Sequence, residues 1–123
     1  MSMRVFGELE TVVMAQLWAM GDGTVREVFE RLRTEREIAY TTVLSTMENL
    51  LRKGHLNRDP EGRAYRYRTA LTHAEHTSGL MREALALGEK DTAAVLTHFV
   101  GEMSSEELEG LKTVIRRRSR SKR

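Results

Sequence analysis

At Gly54 the hydrophobic period changes from that of a helix to that of a strand, and this bounds what the first 70 residues can fold into. Upstream, three segments carry apolar residues at helical spacing. Leu9, Val12, Val13, Leu17 and Met20 follow i, i+3, i+4 from Glu8 to Met20, with Gln16 as one polar interruption, and Gly21-Asp22-Gly23 stops the segment. Thr24, with Glu27 three residues on, has capping-box spacing and opens a second helix striped by Val25, Val28, Phe29 and Leu32. A third helix is expected from Tyr40 to Lys53, with Val43, Met47 and Leu50 at i, i+4, i+7; Gly54 after it suits a left-handed cap. Downstream, 55–58 and 63–68 alternate and read as short strands, and Asp59-Pro60-Glu61-Gly62 reads as the turn between them. Tyr65 and Tyr67 then face one way, into the core, and Arg66 and Arg68 the other.

Helix, helix, helix, hairpin is the order of a winged helix-turn-helix, so residues 1–70 are expected to form such a domain. Residues 71–115 are helical throughout. A fourth helix from about Thr72 to Leu87 carries Leu80, Met81 and Leu85 and ends at Gly88. A fifth, N-capped by Asp91, carries Val95, Leu96 and Phe99, and Gly101 ends it. A sixth, opened by the capping box Ser104/Glu107, carries Leu108, Leu111, Val114 and Ile115. A segment this small rarely encloses a sufficient core. Its apolar faces need cover, and a second copy of the chain is the better candidate, because a DNA-reading helix used twice gains from two-fold symmetry. The expected dimer interface is Leu80, Met81, Leu85, Val95, Leu96, Phe99, Leu108, Leu111 and Ile115. The fold class is therefore mainly α with a small β-hairpin: an N-terminal winged helix-turn-helix, a C-terminal three-helix dimerisation region, and a basic tail over 116–123 expected to be disordered.

That tail holds six of the 20 basic residues, so the excess of base over acid is no evidence for nucleic-acid binding by itself. Residues 71–115 are acidic. The informative cluster is local: 52–68 hold Arg52, Lys53, Arg58, Arg63, Arg66 and Arg68 against Asp59 and Glu61. The absence of cysteine removes disulfides, thiolate metal sites and thiol catalysis. No apolar run approaches the ~18 residues of a membrane span. MSMRVFGELE lacks the apolar stretch of a signal peptide, so a cytoplasmic protein with no membrane insertion is expected.

The polar face of the third helix carries Thr41, Thr42, Ser45 and Asn49, short and uncharged where a merely solvated face more often carries Lys and Glu. Thr and Ser donate to or accept from base edges, the Thr methyl meets the thymine methyl, and Asn pairs bidentately with adenine. These four are the expected base contacts, on the turns where such helices meet bases. None is an arginine able to grip guanine, which favours an A·T-containing half-site. Arg26, Lys53, Arg63 and Arg66 are the expected phosphate contacts, which position without reading sequence. Two alternatives stand beside this reading: a winged helix used as a protein-interaction module through the acidic 71–115 region, and a regulator with a small ligand between the dimer halves.

Catalytic and metal chemistry find little support. His73 and His76 stand at i, i+3, with Glu75 between them, and lack a third and fourth ligand nearby. Glu8/Glu10 and Glu106/Glu107 sit at helix starts, where they suit the dipole. No phosphate loop or nucleophile elbow occurs. Neither an enzyme nor a cofactor is expected.

Three stretches resemble the penicillinase repressors (BlaI/MecI type), a family that also includes the copper-responsive CopY repressors. Leu9-Glu10 with Val13-Met14 and Leu17-Trp18 is similar to the family's first helix. Ala39-Tyr40-Thr41-Thr42-Val43, continued by Leu50, Lys53 and Gly54, is similar to its recognition helix, although Ala39 stands where the family often has Ser. Val95-Leu96-Thr97-His98-Phe99-Val100, followed by 104–111, is similar to its dimerisation part. The resemblance covers about residues 7–115. It implies a homodimeric repressor on an inverted repeat of TACA/TGTA type in double-stranded DNA, serving β-lactam-response or related genes. In staphylococcal members a membrane-bound, β-lactam-sensing metalloprotease triggers cleavage at an Asn–Phe bond. The matching pair here, His98-Phe99, is the implied proteolytic release site and lacks the Asn. Copper sensing through a C-terminal cysteine pair is excluded, since the chain has no cysteine.

Overall fold

Short-range signals set most element boundaries in the computed structural model, which describes residues 5–121. The chain divides into two units after Leu80. The first contains α1 (Glu8–Met20), β1 (Asp22–Thr24), α2 (Val25–Leu32), α3 (Tyr40–Arg52), β2 (Leu56–Glu61), β3 (Ala64–Thr69) and the start of α4 (His73–Ala86). The capping box at Thr24 forms as read: its Oγ1 accepts from the Glu27 N–H at 3.1 Å, and its own N–H donates to Glu27 Oε1 at 3.1 Å. Gly54 has φ +87. The His55 N–H reaches the Leu50 carbonyl at 2.9 Å and the Gly54 N–H reaches that of Leu51 at 3.0 Å, which together make the Schellman end of α3.

The core of this unit is Val13, Met14 and Leu17 of α1, Val25, Val28 and Leu32 of α2, Val43, Met47 and Leu50 of α3, Leu56 of β2 and Tyr67 of β3. The helix stripes converge on it, and the sheet closes the open side. That sheet has three antiparallel strands in the order β1-β3-β2. β1 lies in the segment read only as a helix stop; at three residues it is too short to show a period. It pairs Asp22, Gly23 and Thr24 with Arg68, Tyr67 and Arg66. β2 also runs further than expected. Asp59, Pro60 and Glu61 belong to the strand, and the loop is only Gly62-Arg63, with Gly62 at φ +62. Proline is accommodated because β2 is an edge strand. The tyrosines part company: Tyr67 is 1% exposed, whereas Tyr65 is 43% exposed and is not a core residue. Tyr67 sits opposite Gly23 of β1, but β1 ends before it reaches Tyr65, so only β2 flanks the outer tyrosine.

The first unit extends past the boundary expected at residue 70. Trp18 Nε1 donates to the Leu71 carbonyl at 3.0 Å, the Trp18 ring stacks on His73 (centroids 4.4 Å apart), and Phe6 stacks on the buried His76 (4.6 Å). These contacts hold the first turns of α4 to α1. They also give His73 and His76 packing roles, and Thr72 caps the helix through Glu75.

The second unit holds the rest of α4, a 3₁₀ turn (Glu89–Asp91), α5 (Thr92–Gly101) and α6 (Ser105–Ser121). Asp91 occupies the N-cap position of α5 as expected, but its side chain makes no capping hydrogen bond: the 3₁₀ turn leads directly into the helix, and Thr92 Oγ1 donates back to the Glu89 carbonyl at 3.1 Å. The Ser104/Glu107 box does form, with its two hydrogen bonds at 2.9 and 3.1 Å. α6 continues through Arg116 to Ser121, where a disordered tail was expected. Arginine is a good helix former, and cations at a helix C-terminus oppose no dipole. Positions 122–123 of that expected tail lie outside the described residues. No helix among the described residues is long and apolar enough to cross a membrane.

Candidate nucleic-acid interface

Burying Val43, Met47 and Leu50 on one side of α3 turns its opposite side outward. Thr41, Ser45 and Asn49 are exposed there and Thr42 is half-buried beside them. Spacings of four, three and four also bring Glu48 and Arg52 into line with Thr41 and Ser45. Neither was expected as a base contact. The 3.6 period could have found them, but attention to short polar residue types passed over them. Both have base-reading chemistry: Glu accepts from the cytosine amino group and Arg grips guanine. Arg52 donates from Nη2 to Asn49 Oδ1, so the two side chains present their polar atoms together. Ser45 Oγ donates to the Thr42 carbonyl at 3.2 Å, and the buried Thr46 does the same at 2.7 Å, which is a structural role.

The cations flanking this face divide into two groups. Arg26 is exposed in the first turn of α2, with its guanidinium over the Tyr40 ring at 4.8 Å and only a long 3.7 Å approach to Glu30. It thus stands beside the first residue of α3. Arg63 occupies the hairpin loop, exposed and without an ion pair among the described residues. Lys53 and Arg66, by contrast, are already engaged. Lys53 Nζ lies 2.8 Å from Glu10 Oε2, and this contact holds the Glu10 carboxyl below its ordinary range. Arg66 donates to Asp22, Glu27 and Glu61 at 2.8–3.1 Å. It pulls the Glu27 and Glu61 carboxyls below the ordinary range, while its own pKa is raised. Lys53 and Arg66, expected as phosphate contacts, thus already hold carboxylates in the free chain. Glu10, Asp22 and Glu27 lie about 40 residues away in sequence, beyond the reach of any local pattern, whereas Glu61 stands five residues from Arg66 across the hairpin loop. Arg68 pairs with Asp59, and Arg58 lies over the Tyr65 ring at 3.9 Å while donating to Tyr67 Oη at 3.1 Å.

The residues expected at a dimer interface, Leu80 at the end of the first unit and the others in the second, are only partly covered by their own chain. Leu80, Leu85, Leu108 and Leu111 are half-buried; Met81, Val95, Leu96, Phe99 and Ile115 are exposed. His98 and Phe99 lie within α5, and Phe99 is 55% exposed.

Comparison with known proteins agrees with this architecture. The penicillinase repressor family model matches residues 6–117. The chain is 36% identical over 112 residues to the transcriptional regulator BlaI of Mycobacterium tuberculosis strain H37Rv, covering 89% of this chain and 81% of that protein; the strain CDC 1551 protein matches equally. The solution structure of the DNA-binding domain of the repressor BlaI superposes with a TM-score of 0.54 at 23% identity, covering 60% of this chain and 90% of that domain. The Bacillus subtilis protein YusO superposes with a TM-score of 0.51 at 17% identity, covering 95% and 77%. The two structural likenesses show the winged-helix fold, and the family model and the mycobacterial identity show the kinship. The chain belongs to the penicillinase repressor family, whose members are transcriptional regulators and not enzymes.

Proposed function

We propose that this repressor acts as a cytoplasmic homodimer on an inverted-repeat operator in double-stranded DNA. The observation that carries the reading is the outward line of Thr41, Ser45, Glu48 and Arg52 on α3, with Asn49 and Thr42 beside it and Arg26 next to its N-terminal end. Thr41, Thr42, Ser45 and Asn49, joined by Glu48 and Arg52, meet base edges in the major groove. Arg26 and Arg63 hold phosphates and set the register. The inclusion of Arg52 admits a guanine in the half-site, which the four short side chains alone did not suggest.

Dimerisation is supported by the apolar surface that one chain leaves uncovered in the second unit, with Met81, Leu96, Phe99 and Ile115 exposed. Large apolar side chains left exposed together on one small helical unit favour an interaction site, and a symmetric copy supplies matching ones. Release by a membrane sensor protease system would act at His98-Phe99. A peptide bond inside a helix is cut from its locally opened state, so cleavage there depends on unwinding of α5.

The test is selection of genomic fragments by the purified protein at physiological salt against excess random DNA. Enrichment of an inverted repeat with half-sites about one helical turn apart is the expected result. Retention of DNA without a common motif would overturn the reading and favour a protein-interaction module.

A further inference from the structure

A guanidinium has five N–H donors and no acceptor. In Arg66 all five are engaged. Nε donates to Glu61 Oε1 at 2.9 Å, Nη1 to Asp22 Oδ1 at 2.8 Å and to Glu27 Oε1 at 3.0 Å, and Nη2 to Glu27 Oε2 at 3.1 Å and to Glu61 Oε2 at 2.9 Å. The four residues come from four elements. Arg66 lies on the central strand β3, Asp22 on β1, Glu27 in the first turn of α2 and Glu61 at the end of β2. Glu27 Oε1 also accepts the Thr24 N–H that caps α2. Glu61 immediately precedes the Gly62-Arg63 loop. One side chain therefore ties the hairpin tip to the start of the helix that carries Arg26.

The charge balance reinforces the geometry. Three carboxylates converge on one cation, and Glu27 and Glu61 repel each other across it. Without Arg66 nothing in the cluster opposes that repulsion, which pushes the hairpin tip away from α2. The unneutralised carboxylates would also repel a phosphate backbone reaching Arg63.

We propose that Arg66 is a positioning residue for DNA binding: a saturated clamp that fixes the loop bearing Arg63 against the start of α2, and not itself a phosphate contact. The proposal rests on the DNA-binding reading above. Lysine keeps the charge and would preserve a point contact to phosphate, but its three donors on one nitrogen cannot bridge three carboxylates arranged around a planar fork.

The experiment is a double-mutant cycle of Arg63→Ala and Arg66→Lys in the full chain, read as affinity for a duplex that the wild-type protein selects from random sequence. It is paired with amide hydrogen exchange of the free proteins. The clamp predicts that Arg66→Lys weakens binding about tenfold, a usual size of coupling within one salt-bridge network. It further predicts that Arg63→Ala, costly in the wild type, costs little in the Arg66→Lys background, and that the Gly62 and Arg63 amides exchange faster in Arg66→Lys. Arg66→Lys binding like the wild type, or additive effects of the two substitutions, would overturn it. Should the wild type select no duplex, the DNA-binding reading fails by itself. The exchange rates still judge the clamp, and unchanged rates at Gly62 and Arg63 reject it.

Discussion

Replacing Gly54 by alanine isolates the energetics of one backbone conformation, because nothing lies within 4 Å of the place its Cβ would take. No clash enters the balance. What remains is the left-handed φ of +87, which the Schellman end of α3 requires. An L-residue in that region costs about 1–2 kcal/mol. Alanine also narrows the unfolded ensemble, which returns about 0.4–1 kcal/mol. The net expectation is a loss of about 0.8 kcal/mol, and for a unit of this size each kcal/mol lowers the melting temperature by about 4–8 °C. Gly54→Asn should lose less, since asparagine enters the left-handed region more readily. Urea unfolding followed by Trp18 fluorescence reads the right unit, since Trp18 packs on Phe6, His73 and His76 there. Alanine as stable as glycine, or less damaging than asparagine, would refute the reasoning.

Three further outcomes follow from the same structure. Asn49→Ala and Ser45→Ala should each reduce discrimination between selected and random DNA by about 1–3 kcal/mol, measured by competition binding, and equal losses on both DNAs would argue against base contact. Because Arg66 lowers Glu27 and Glu61 and Lys53 lowers Glu10, the folded state binds fewer protons than the unfolded chain. The stability involved is present above the ordinary glutamate value of 4.5 and is lost as pH falls through the lowered folded values. The urea midpoint should therefore decline on that acid side, and less steeply in Glu27→Gln; superimposable profiles would contradict the assignment. Phe99→Glu should yield a monomer in sedimentation equilibrium, with a melting temperature no longer dependent on concentration, and an unchanged dimer would remove Phe99 from the interface.

Features decided within a few residues were legible from the chain alone. The boundaries of α1 follow from its stripe and the glycine behind it. The boxes Thr24/Glu27 and Ser104/Glu107 and the stop at Gly54 could be read because each is a contact between residues three to five apart. The outward face of α3 was legible for the same reason, although reading residue type before period left out Glu48 and Arg52. Asp91 was legible as the position that opens α5 but not as lacking a side-chain cap, since residue type says nothing about whether the chain enters the helix from an extended or a turning conformation.

Tertiary pairing decided the rest. Tyr65 and Tyr67 share one face of one strand, and only the arrival of β1 beside Tyr67 makes one of them core and the other surface. Arg26, Lys53, Arg63 and Arg66 are equivalent cations in a sequence. Whether each is free depends on a carboxylate brought from another element: Glu10 to Lys53, and Asp22, Glu27 and Glu61 to Arg66. Sequence alone thus determined the helices, most of their caps and the outward face of α3, because helical period and capping are local. The folded chain determined which cations already hold carboxylates, because ion pairing is settled by distance in space, and packing of α1 against α3 and of the sheet against α2 brings most of these partners together.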